Sequence, residues 1–277
     1  MNWSQIRAIA QKDIKAITSN VQVLIGIIIL PLVFGVLLPG GLIFAMKLVN
    51  IVDSDLVNMV QKVVTQLPTG DKKELITQLS TINHQIIYIF VNYMLGPFFM
   101  LIPVLNSLMI ALNSLVGEKE RRTLESLLFA PIEVKDLFMG KLVGTFIPTF
   151  IVTLASFVLC GIIINGLSYT MFDGLIFPNL SWGIILLWVT PMFTGLVILI
   201  SIFISARSKG FQEAQQLGGV VVLPIVGAAI SQITGIVFLS SQILLVTGLM
   251  LFIINILLLR RLTKMNQRNV LFERQVH

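Results

Sequence analysis

Long runs without charge constrain this chain more than any other feature of its sequence. Asp, Glu, Lys and Arg are missing from residues 16–46, 75–117, 142–172, 174–206 and 214–259. Each run can hold a transmembrane helix, which needs about 20 apolar residues. Only 12% of the 277 residues are charged, against about 25% in soluble domains. The pattern excludes a disordered chain, a coiled coil and an ordinary soluble domain, and it indicates a polytopic membrane protein.

Polar residues inside these runs set the expected ends of the helices. A polar stretch at 81–85 delays the second helix, and the pair Ser240 and Ser241 divides the longest run in two. A cleaved signal peptide fits poorly, because the first apolar run exceeds the usual 7–15 residues. We therefore predict an all-α fold with one transmembrane domain over 1–277. Its six spans are expected at about 22–46, 86–114, 142–165, 182–205, 217–238 and 242–259.

Basic residues concentrate on one side of the six expected spans. Fifteen of the 19 Lys and Arg residues lie in the N-terminal segment, the loops at 117–141 and 207–213, and the C-terminal tail. The other four lie in one long loop, 47–85. Because cytoplasmic loops are enriched in Lys and Arg, both termini are predicted to lie in the cytoplasm. The net charge of +6 is explained in this way and does not call for a nucleic-acid partner.

Two segments outside the spans have helical periodicity. Residues 3–17 predict an amphipathic helix that lies in the headgroup plane or, alternatively, continues the first span into the cytosol. Its expected apolar face is Trp3, Ile6, Ile9, Ala10, Ile14 and Ile17. In the loop 47–85, two helical stretches flank a turn at 68–70 and predict an extracytoplasmic helical hairpin. The hairpin either covers the outer mouth of a pathway or rests on lipid.

The most highly charged segment is 117–141, with ten of the 32 charged residues of the chain. A cluster of Glu and Arg precedes the apolar residues 127–129, and Pro131 ends the expected helix. A second helix is expected to start near Glu133 and to run into the next span. A short helix with one charged and one apolar face can seat in a groove of a cytosolic partner. The alternative is a solvated connector between two spans.

This segment resembles the signature of the type-2 ABC exporter permeases, the membrane subunits of ATP-binding-cassette transporters. That signature has an acidic and basic cluster, Gly-Thr-Leu-Glu, a pair of leucines, a proline, and Gly-Lys. Arg122 here replaces the family glycine and Ala130 replaces a threonine. The whole plan of the chain is also similar. The matching residues are Glu118-Lys119-Glu120-Arg121-Arg122-Thr123-Leu124-Glu125, Leu127-Leu128, Ala130-Pro131 and Gly140-Lys141.

The resemblance implies that this segment is a coupling helix, which docks on a separate ATPase subunit. It also implies an exporter in a bacterial plasma membrane, built from two permeases that are identical or are sister proteins. ATP and Mg²⁺ would be bound by the ATPase. A second, weaker contact is expected around Arg207, Lys209 and Glu213. The coupling residues carried over are Glu118, Arg121, Arg122, Leu124, Glu125 and Leu128.

Motifs for catalysis are missing from the sequence. It has no phosphate loop, no H-E-x-x-H and no G-x-S-x-G, and one Cys and two His leave no predicted metal site. We therefore predict a non-enzymatic permease that relies on ATP hydrolysis by a partner chain. A stand-alone secondary carrier or a membrane assembly factor is the alternative, although the predicted spans hold no Asp, Glu, Lys, Arg or His. A third option is an ATPase-linked sensor or immunity subunit that recognises a peptide with its outer hairpin.

Three asparagines in the second span are the remaining candidates. Asn92, Asn106 and Asn113 are 14 and 7 residues apart and are therefore expected near one helical face. They either line a pathway or dimer face, or make hydrogen bonds between helices of one subunit. Pro97 and Pro103 are expected to kink this helix. The sequence does not specify the transported substrate.

Overall fold

Six helices in the computed structural model are long and apolar enough to cross a membrane, which confirms the predicted six-span, all-α fold. The structure describes residues 2–49, 54–66, 71–79, 81–120, 133–208, 210–234 and 240–264. The helices are numbered spans 1 to 6 in chain order. They are Val23–Leu48, Ile82–Glu120, Lys135–Phe172, Leu180–Ser205, Phe211–Ile233 and Ser241–Arg261.

The two faces of the fold are named by what they carry. The terminal side holds the N-terminal helix, Trp3–Ser19, and the ends of spans 2 and 3 that flank residues 121–132. The hairpin side holds the short helices Ser54–Gln66 and Asp71–Gln78. On the terminal side the helix of span 2 continues past the predicted residue 114, and that of span 3 already begins at Val134. Lys141 lies within this helix, whose start agrees with the one expected near Glu133.

Span 2 is the central helix of the fold. Its most hydrophobic stretch is 78% buried, whereas that of span 6 is 17% buried. Val104 and Leu112 of span 2 belong to the same core cluster as Val189 and Val197 of span 4. Spans 1, 3, 5 and 6 turn large apolar side chains outward. These outward surfaces suit lipid or another membrane subunit, since exposed apolar faces of this size would be unfavourable in water.

Three of the described spans contain a π-helical turn, and a proline follows each turn after two or three residues. The turns are Pro31–Leu37, Phe90–Met94 and Ile185–Val189. Proline has no N–H, so the carbonyl four residues before it loses its usual partner. At the end of each wide turn an amide bonds the carbonyl five residues back, as a π-helical turn requires. These bonds run from Leu38 to Val33, from Leu95 to Phe90 and from Thr190 to Ile185. The three pairs, each a carbonyl and the proline four residues after it, are Gly35 with Pro39, Tyr93 with Pro97, and Leu187 with Pro191. Pro103 lies in an α-helical stretch without such a turn.

The N-terminal helix is separated from span 1 by a break at Asn20, whose backbone is extended. Its packed face includes Ile6, Ile9, Ala10 and Ile17, as the periodicity predicts. Trp3 does not belong to that face, because 69% of it is exposed. Asp13 is instead buried on the packed face. A location in the headgroup plane stays a prediction.

Two glycines let the N-terminal helix approach span 3 closely. A Cβ atom on Gly140 would lie 2.7 Å from Cβ of Ile9, and one on Gly144 would lie 3.1 Å from Cα of Ala10. The two helices run side by side in the same direction through this contact. Small residues four apart permit such close backbone packing in membrane helices. Gly140 of the Gly-Lys pair thus has a packing role.

The hairpin-side helices pack on the outer end of span 2. Val63 and Ile76 are buried in one cluster with Ile89 of that span. Nζ of Lys73 donates a hydrogen bond to the Thr65 carbonyl over 2.8 Å and joins the two short helices. Helices thus occur at both predicted segments, while the turn at 67–70 lies outside the described residues. Nothing in these contacts bears on whether the hairpin covers a pathway.

Four aromatic rings form the aromatic cluster, which joins spans 2, 3 and 4 towards the hairpin side. Its members are Phe99, Phe157, Phe177 and Trp182. The centroid of the Trp182 ring lies 4.9 Å from that of Phe177 and 5.5 Å from that of Phe99, and both pairs are edge to face. Aromatic quadrupoles favour that arrangement. Trp182 Nε1 also donates to the Val91 carbonyl over 3.1 Å, so its polar atom is satisfied although the ring is buried.

Asn165 of span 3 fixes the connection that carries Phe177. Its Nδ2 donates to the Phe177 carbonyl over 2.6 Å. Its Oδ1 accepts from the backbone amides of Ile176 and Phe177, each at 3.2 Å. One side chain thus satisfies three backbone groups of a non-helical segment, which would otherwise be costly at membrane depth.

Candidate functional site

Only one of the six predicted coupling residues lies in the part of the chain that the structure describes. Glu118 is described, at the terminal-side end of span 2. Residues 121–132 lie outside the described part of the chain, and with them Arg121, Arg122, Leu124, Glu125 and Leu128. The described part of the site therefore consists of its two flanks, which are the end of span 2 and the start of span 3.

An ion pair joins the two flanks directly. Oε2 of Glu118 lies 2.7 Å from Nζ of Lys141, and its Oε1 lies 2.6 Å from Nζ of Lys12. Lys141 is only 2% exposed. One carboxylate therefore connects span 2 to span 3 and to the N-terminal helix. This role explains why the lysine of the Gly-Lys pair is buried within the fold.

Asp13 and Ser114 complete this network, which we call the terminal-side network: Lys12, Asp13, Ser114, Glu118 and Lys141. Oγ of Ser114 donates to Oδ2 of Asp13 over 2.8 Å, and Lys141 donates to Ser114 Oγ over 2.8 Å. Lys141 lies 3.5 Å from Asp13. Two carboxylates and two ammonium groups balance, which a buried cluster of charges requires.

The buried ion pair was missed in the sequence analysis. Asp13 interrupts the apolar face that Ile6, Ile9, Ala10 and Ile17 define at helical spacing. A lone acid on such a face signals a buried partner, since carboxylates are almost never buried unpaired. The partner itself could not be identified, because the contact between the N-terminal helix and span 3 is tertiary.

The next two residues of span 2 bind the connection between spans 4 and 5. Nζ of Lys119 donates to the Ser208 carbonyl over 2.8 Å, at the end of span 4. Oε1 of Glu120 accepts from the Phe211 amide over 2.8 Å, at the start of span 5. Gly210 in the cap position has no side chain to serve there. A carboxylate at a helix N-terminus satisfies a free amide and complements the helix dipole.

These contacts bring together two regions that the sequence pointed to separately. Ser208 and Phe211 lie within the stretch around Arg207 and Glu213 that was expected to be a second contact. Lys209 lies outside the described residues. The stretch adjoins the entrance to residues 121–132, so both predicted contact regions lie at one end of span 2.

The start of the N-terminal helix is fixed to the same region. The Asn2 amide donates to Oδ2 of Asp136 over 2.8 Å, in the first turn of the span 3 helix. Asn2 also caps its own helix, since its Oδ1 accepts from the Ser4 amide. Asp136 is 1% exposed. The contact between the N-terminal helix and span 3 is therefore held by polar bonds at both of its ends and by the close packing on Gly140 and Gly144.

Asn92 and Asn106 make hydrogen bonds between spans of the same chain. Oδ1 of Asn92 accepts from Asn179, just before span 4, and its Nδ2 donates to the Tyr88 carbonyl over 3.0 Å. Nδ2 of Asn106 donates to the Ile27 carbonyl of span 1 over 3.4 Å. Both residues are buried. These bonds fit the alternative in which the asparagines make hydrogen bonds between helices of one subunit. A pathway or dimer role stays a prediction.

The three asparagines do not share one face as cleanly as their spacing suggests. Asn92 lies in the π-helical turn Phe90–Met94. A wide turn offsets the helical register by roughly one residue, which is about 100° of rotation. Asn92 therefore meets the start of span 4, whereas Asn106 meets span 1.

Asn113 has a different environment from the other two. It lines a cleft of about 560 Å³ between the N-terminal helix, the start of span 1 and span 2. Within the part of the chain that the structure describes, its side chain makes no hydrogen bond. The terminal-side network forms one wall of this cleft.

The terminal-side arrangement positions helices. The carboxylates of Asp13, Glu118, Glu120 and Asp136 are engaged by lysine, serine or backbone amides. Across the described residues, no group of three His, Cys, Asp or Glu side chains could hold a metal ion. What the arrangement can do is hold the end of span 2 at a fixed position relative to the N-terminal helix and spans 3, 4 and 5.

Comparison with known proteins agrees with the resemblance in the sequence. A search of curated proteins returned no match. The model of a family described as ABC-2 family transporter protein matches residues 7–267, nearly the whole chain. Proteins of that family are membrane components of ABC transporters and are not themselves catalytic. With its six spans and this match, the chain belongs to the ABC-2 transporter family and is a multi-pass membrane permease.

Proposed function

We propose that the chain is the permease of an ATP-driven exporter, which moves a substrate out of the cytoplasm. The terminal side faces the cytoplasm, consistent with its excess of basic residues, and the membrane is a bacterial plasma membrane. A separate ATPase subunit docks there and binds ATP and Mg²⁺. The chain supplies the membrane pathway and no catalytic group.

The observation that carries this proposal is the attachment of three consecutive residues. Glu118 contacts the N-terminal helix and span 3, Lys119 contacts the end of span 4, and Glu120 contacts the start of span 5. A solvated connector needs no such anchoring. A segment that receives force from a partner does, because the force must reach several spans together.

The coupling step follows from this anchoring. Arg121, Arg122 and Glu125 supply charges for the ATPase surface, and Leu124 and Leu128 fill its groove. Closure of two ATPase subunits on ATP would displace the segment. Residues 118–120 would pass the displacement to spans 3, 4 and 5, and access to the pathway would switch outward.

Two permeases are needed to enclose a pathway in this proposal. They are two copies of the chain, or one copy and a sister permease. The exposed apolar surfaces of spans 1, 5 and 6 provide area for that contact and for membrane lipid. A pathway or dimer face at Asn92, Asn106 and Asn113 is part of this proposal.

A pulldown from native membranes tests the proposal. The tagged chain is purified in mild detergent and its partners are identified by mass spectrometry, in the wild type and in Glu125→Arg. We expect an ATPase with the wild type and its loss from Glu125→Arg and from the pair Leu124→Asp and Leu128→Asp. Lys62→Glu, a charge reversal on an exposed hairpin-side residue, is the control and should retain the ATPase.

Two results would contradict the proposal. Recovery of the intact chain without any ATPase would favour a stand-alone carrier or an assembly factor. Normal ATPase recovery and transport by the Glu125→Arg chain would remove the coupling role from this segment. An exchange of residues 50–82 that alters which peptide is handled would point to the sensor or immunity alternative.

A further inference from the structure

The cleft beside Asn113 has a polar floor at the end of the membrane-spanning region. Its polar lining includes Asn113 and Ser114 of span 2 and Lys12 of the N-terminal helix. The predicted hydrocarbon span of this helix ends near residue 114. The lining therefore lies at the depth of lipid headgroups, whose layer adds several ångströms to each side of the hydrocarbon core.

A cation and an anion stand together at the rim of the cleft. Nζ of Lys12 lies 2.6 Å from Oε1 of Glu118, and the Lys12 side chain is 51% exposed. Lys141 engages the other oxygen of Glu118 from the buried side. Only the lysine of this pair is half-exposed; Glu118 is 12% exposed and keeps its contact with Lys141. Release of a half-exposed lysine from its partner costs little, typically below about 1 kcal/mol. A ligand that carries both charges can therefore replace this pair, with its anion on Lys12 and its cation on Glu118.

The opposite wall of the cleft is apolar and continues along span 1. Ile17, Val21, Val23 and Ile110 line it. From Val21 an exposed apolar stripe follows helical spacing towards the membrane centre. Eleven residues of helix correspond to about 16 Å, enough for much of an acyl chain. The residues of the stripe are Val21, Ile25, Ile28, Ile29 and Leu32.

We infer that this cleft binds a phospholipid whose headgroup carries a primary ammonium. The phosphate contacts Lys12, the ammonium contacts Glu118, and the Asn113 amide donates to an ester or phosphate oxygen. One acyl chain lies on the stripe of span 1. Such a zwitterion keeps the cleft and its wall electrically neutral, since the two lysines there already balance Asp13 and Glu118. A free anion such as inorganic phosphate would add a net negative charge and would lack the apolar contact.

Lipid binding to the purified chain tests the inference without any ATPase. The full chain is delipidated in detergent and titrated with phosphatidylethanolamine, phosphatidylcholine or phosphatidylglycerol, and bound lipid is counted by native mass spectrometry. We expect one phosphatidylethanolamine at saturation. Phosphatidylcholine cannot donate N–H bonds and phosphatidylglycerol has no ammonium, so each should bind about tenfold more weakly, as the loss of one charged hydrogen bond predicts.

Two variants locate the lipid in the cleft. A Cβ on Gly117 would touch only the Asn113 side chain, at 3.4 Å, so Gly117→Leu fills the cleft without a backbone clash. Gly166→Leu, at an exposed glycine of span 3 with nothing within 4 Å, is the matched control. Lys12→Gln removes the rim cation at an exposed position. We expect binding to fall about tenfold in Lys12→Gln, to be lost in Gly117→Leu, and to be unchanged in Gly166→Leu.

Three outcomes would overturn the inference. Equal binding of the three lipids would show an annular lipid without headgroup recognition. Equal losses in Gly117→Leu and Gly166→Leu would place the lipid elsewhere. Unchanged binding in Lys12→Gln would refute the proposed headgroup contact. This test does not depend on whether Gly117→Leu folds. None of these results would bear on ATPase coupling, which the pulldown measures separately.

Discussion

The two sides of this molecule are held together by different interactions. On the terminal side, the terminal-side network joins the N-terminal helix to spans 2 and 3 through charged groups. On the hairpin side, the aromatic cluster and Asn165 join spans 2, 3 and 4 without any charge. Both regions bury large side chains.

The difference shows where each region tolerates change. Buried charges demand exact balance, because removal of one leaves another without compensation. Aromatic packing depends on shape and gives graded losses. The side that is proposed to receive a partner is therefore the one whose geometry depends most on individual residues.

The largest expected effect comes from the central lysine of the terminal-side network. Lys141→Met removes the cation that engages both Asp13 and Glu118. Breaking a buried pair by removing one partner typically costs about 3 to 5 kcal/mol. We expect the variant to unfold at a clearly lower temperature than the wild type, measured for the detergent-purified chain.

Restoring charge balance should recover much of that loss. Asp13→Asn with Lys141→Met leaves one cation, Lys12, and one anion, Glu118. We expect this double variant to be more stable than Lys141→Met alone. A double variant that is as unstable as the single one would show that the network acts through packing, and the comparison between the two sides would fail.

An intermediate effect is expected for the neutral counterpart on the hairpin side. Asn165→Leu leaves two backbone amides and one carbonyl without their partner. Unsatisfied buried groups cost about 1 to 3 kcal/mol each before relaxation, so we expect a loss of about 2 kcal/mol or more. Asn113→Leu is the matched control, measured without added lipid. Similar losses in both variants would mean that amide hydrogen bonding does not hold this side together.

The smallest effect is expected at the exposed edge of the terminal-side network. Lys12→Gln removes an ion pair whose lysine is half-exposed, and we expect a loss below about 1 kcal/mol. High salt should remove even this difference, since exposed pairs are screened. Thermal unfolding at low and high salt measures it. A loss as large as that of Lys141→Met would show that burial does not separate the two lysines.

The spans were predictable because the membrane leaves the backbone few choices. Every polar backbone group must be bonded within the segment, so a long charge-free run reads as a helix. The helix ends were less predictable. The helix of span 2 continues to Glu120, past the predicted residue 114, and its last charged residues bond the connection between spans 4 and 5. The helix of span 3 begins at Val134, near the expected Glu133, and Asp136 and Lys141 within it find polar partners in the fold.

Side-chain partners were predictable only where one helix determines them. The spacing of the asparagines gave candidate residues, yet the turn at Phe90–Met94 changes the direction of Asn92. The prolines signalled a distortion, but the sequence does not distinguish Pro97, which follows a π-helical turn, from Pro103, which lies in a regular α-helix. Asp13 signalled a buried partner, and only the contact of the N-terminal helix with span 3 identifies Lys141.

The ion pair between Glu118 and Lys141 has an evolutionary consequence. It fastens together the two stems of the segment that includes residues 121–132, so the ends stay at one place whatever lies between them. Closing a loop on fixed stems costs little more when the loop changes in length. This stretch can accordingly accumulate substitutions, or be grafted from a relative, while the membrane helices keep their arrangement. In the proposed function, exchange of these dozen residues would fit the permease to a different ATPase.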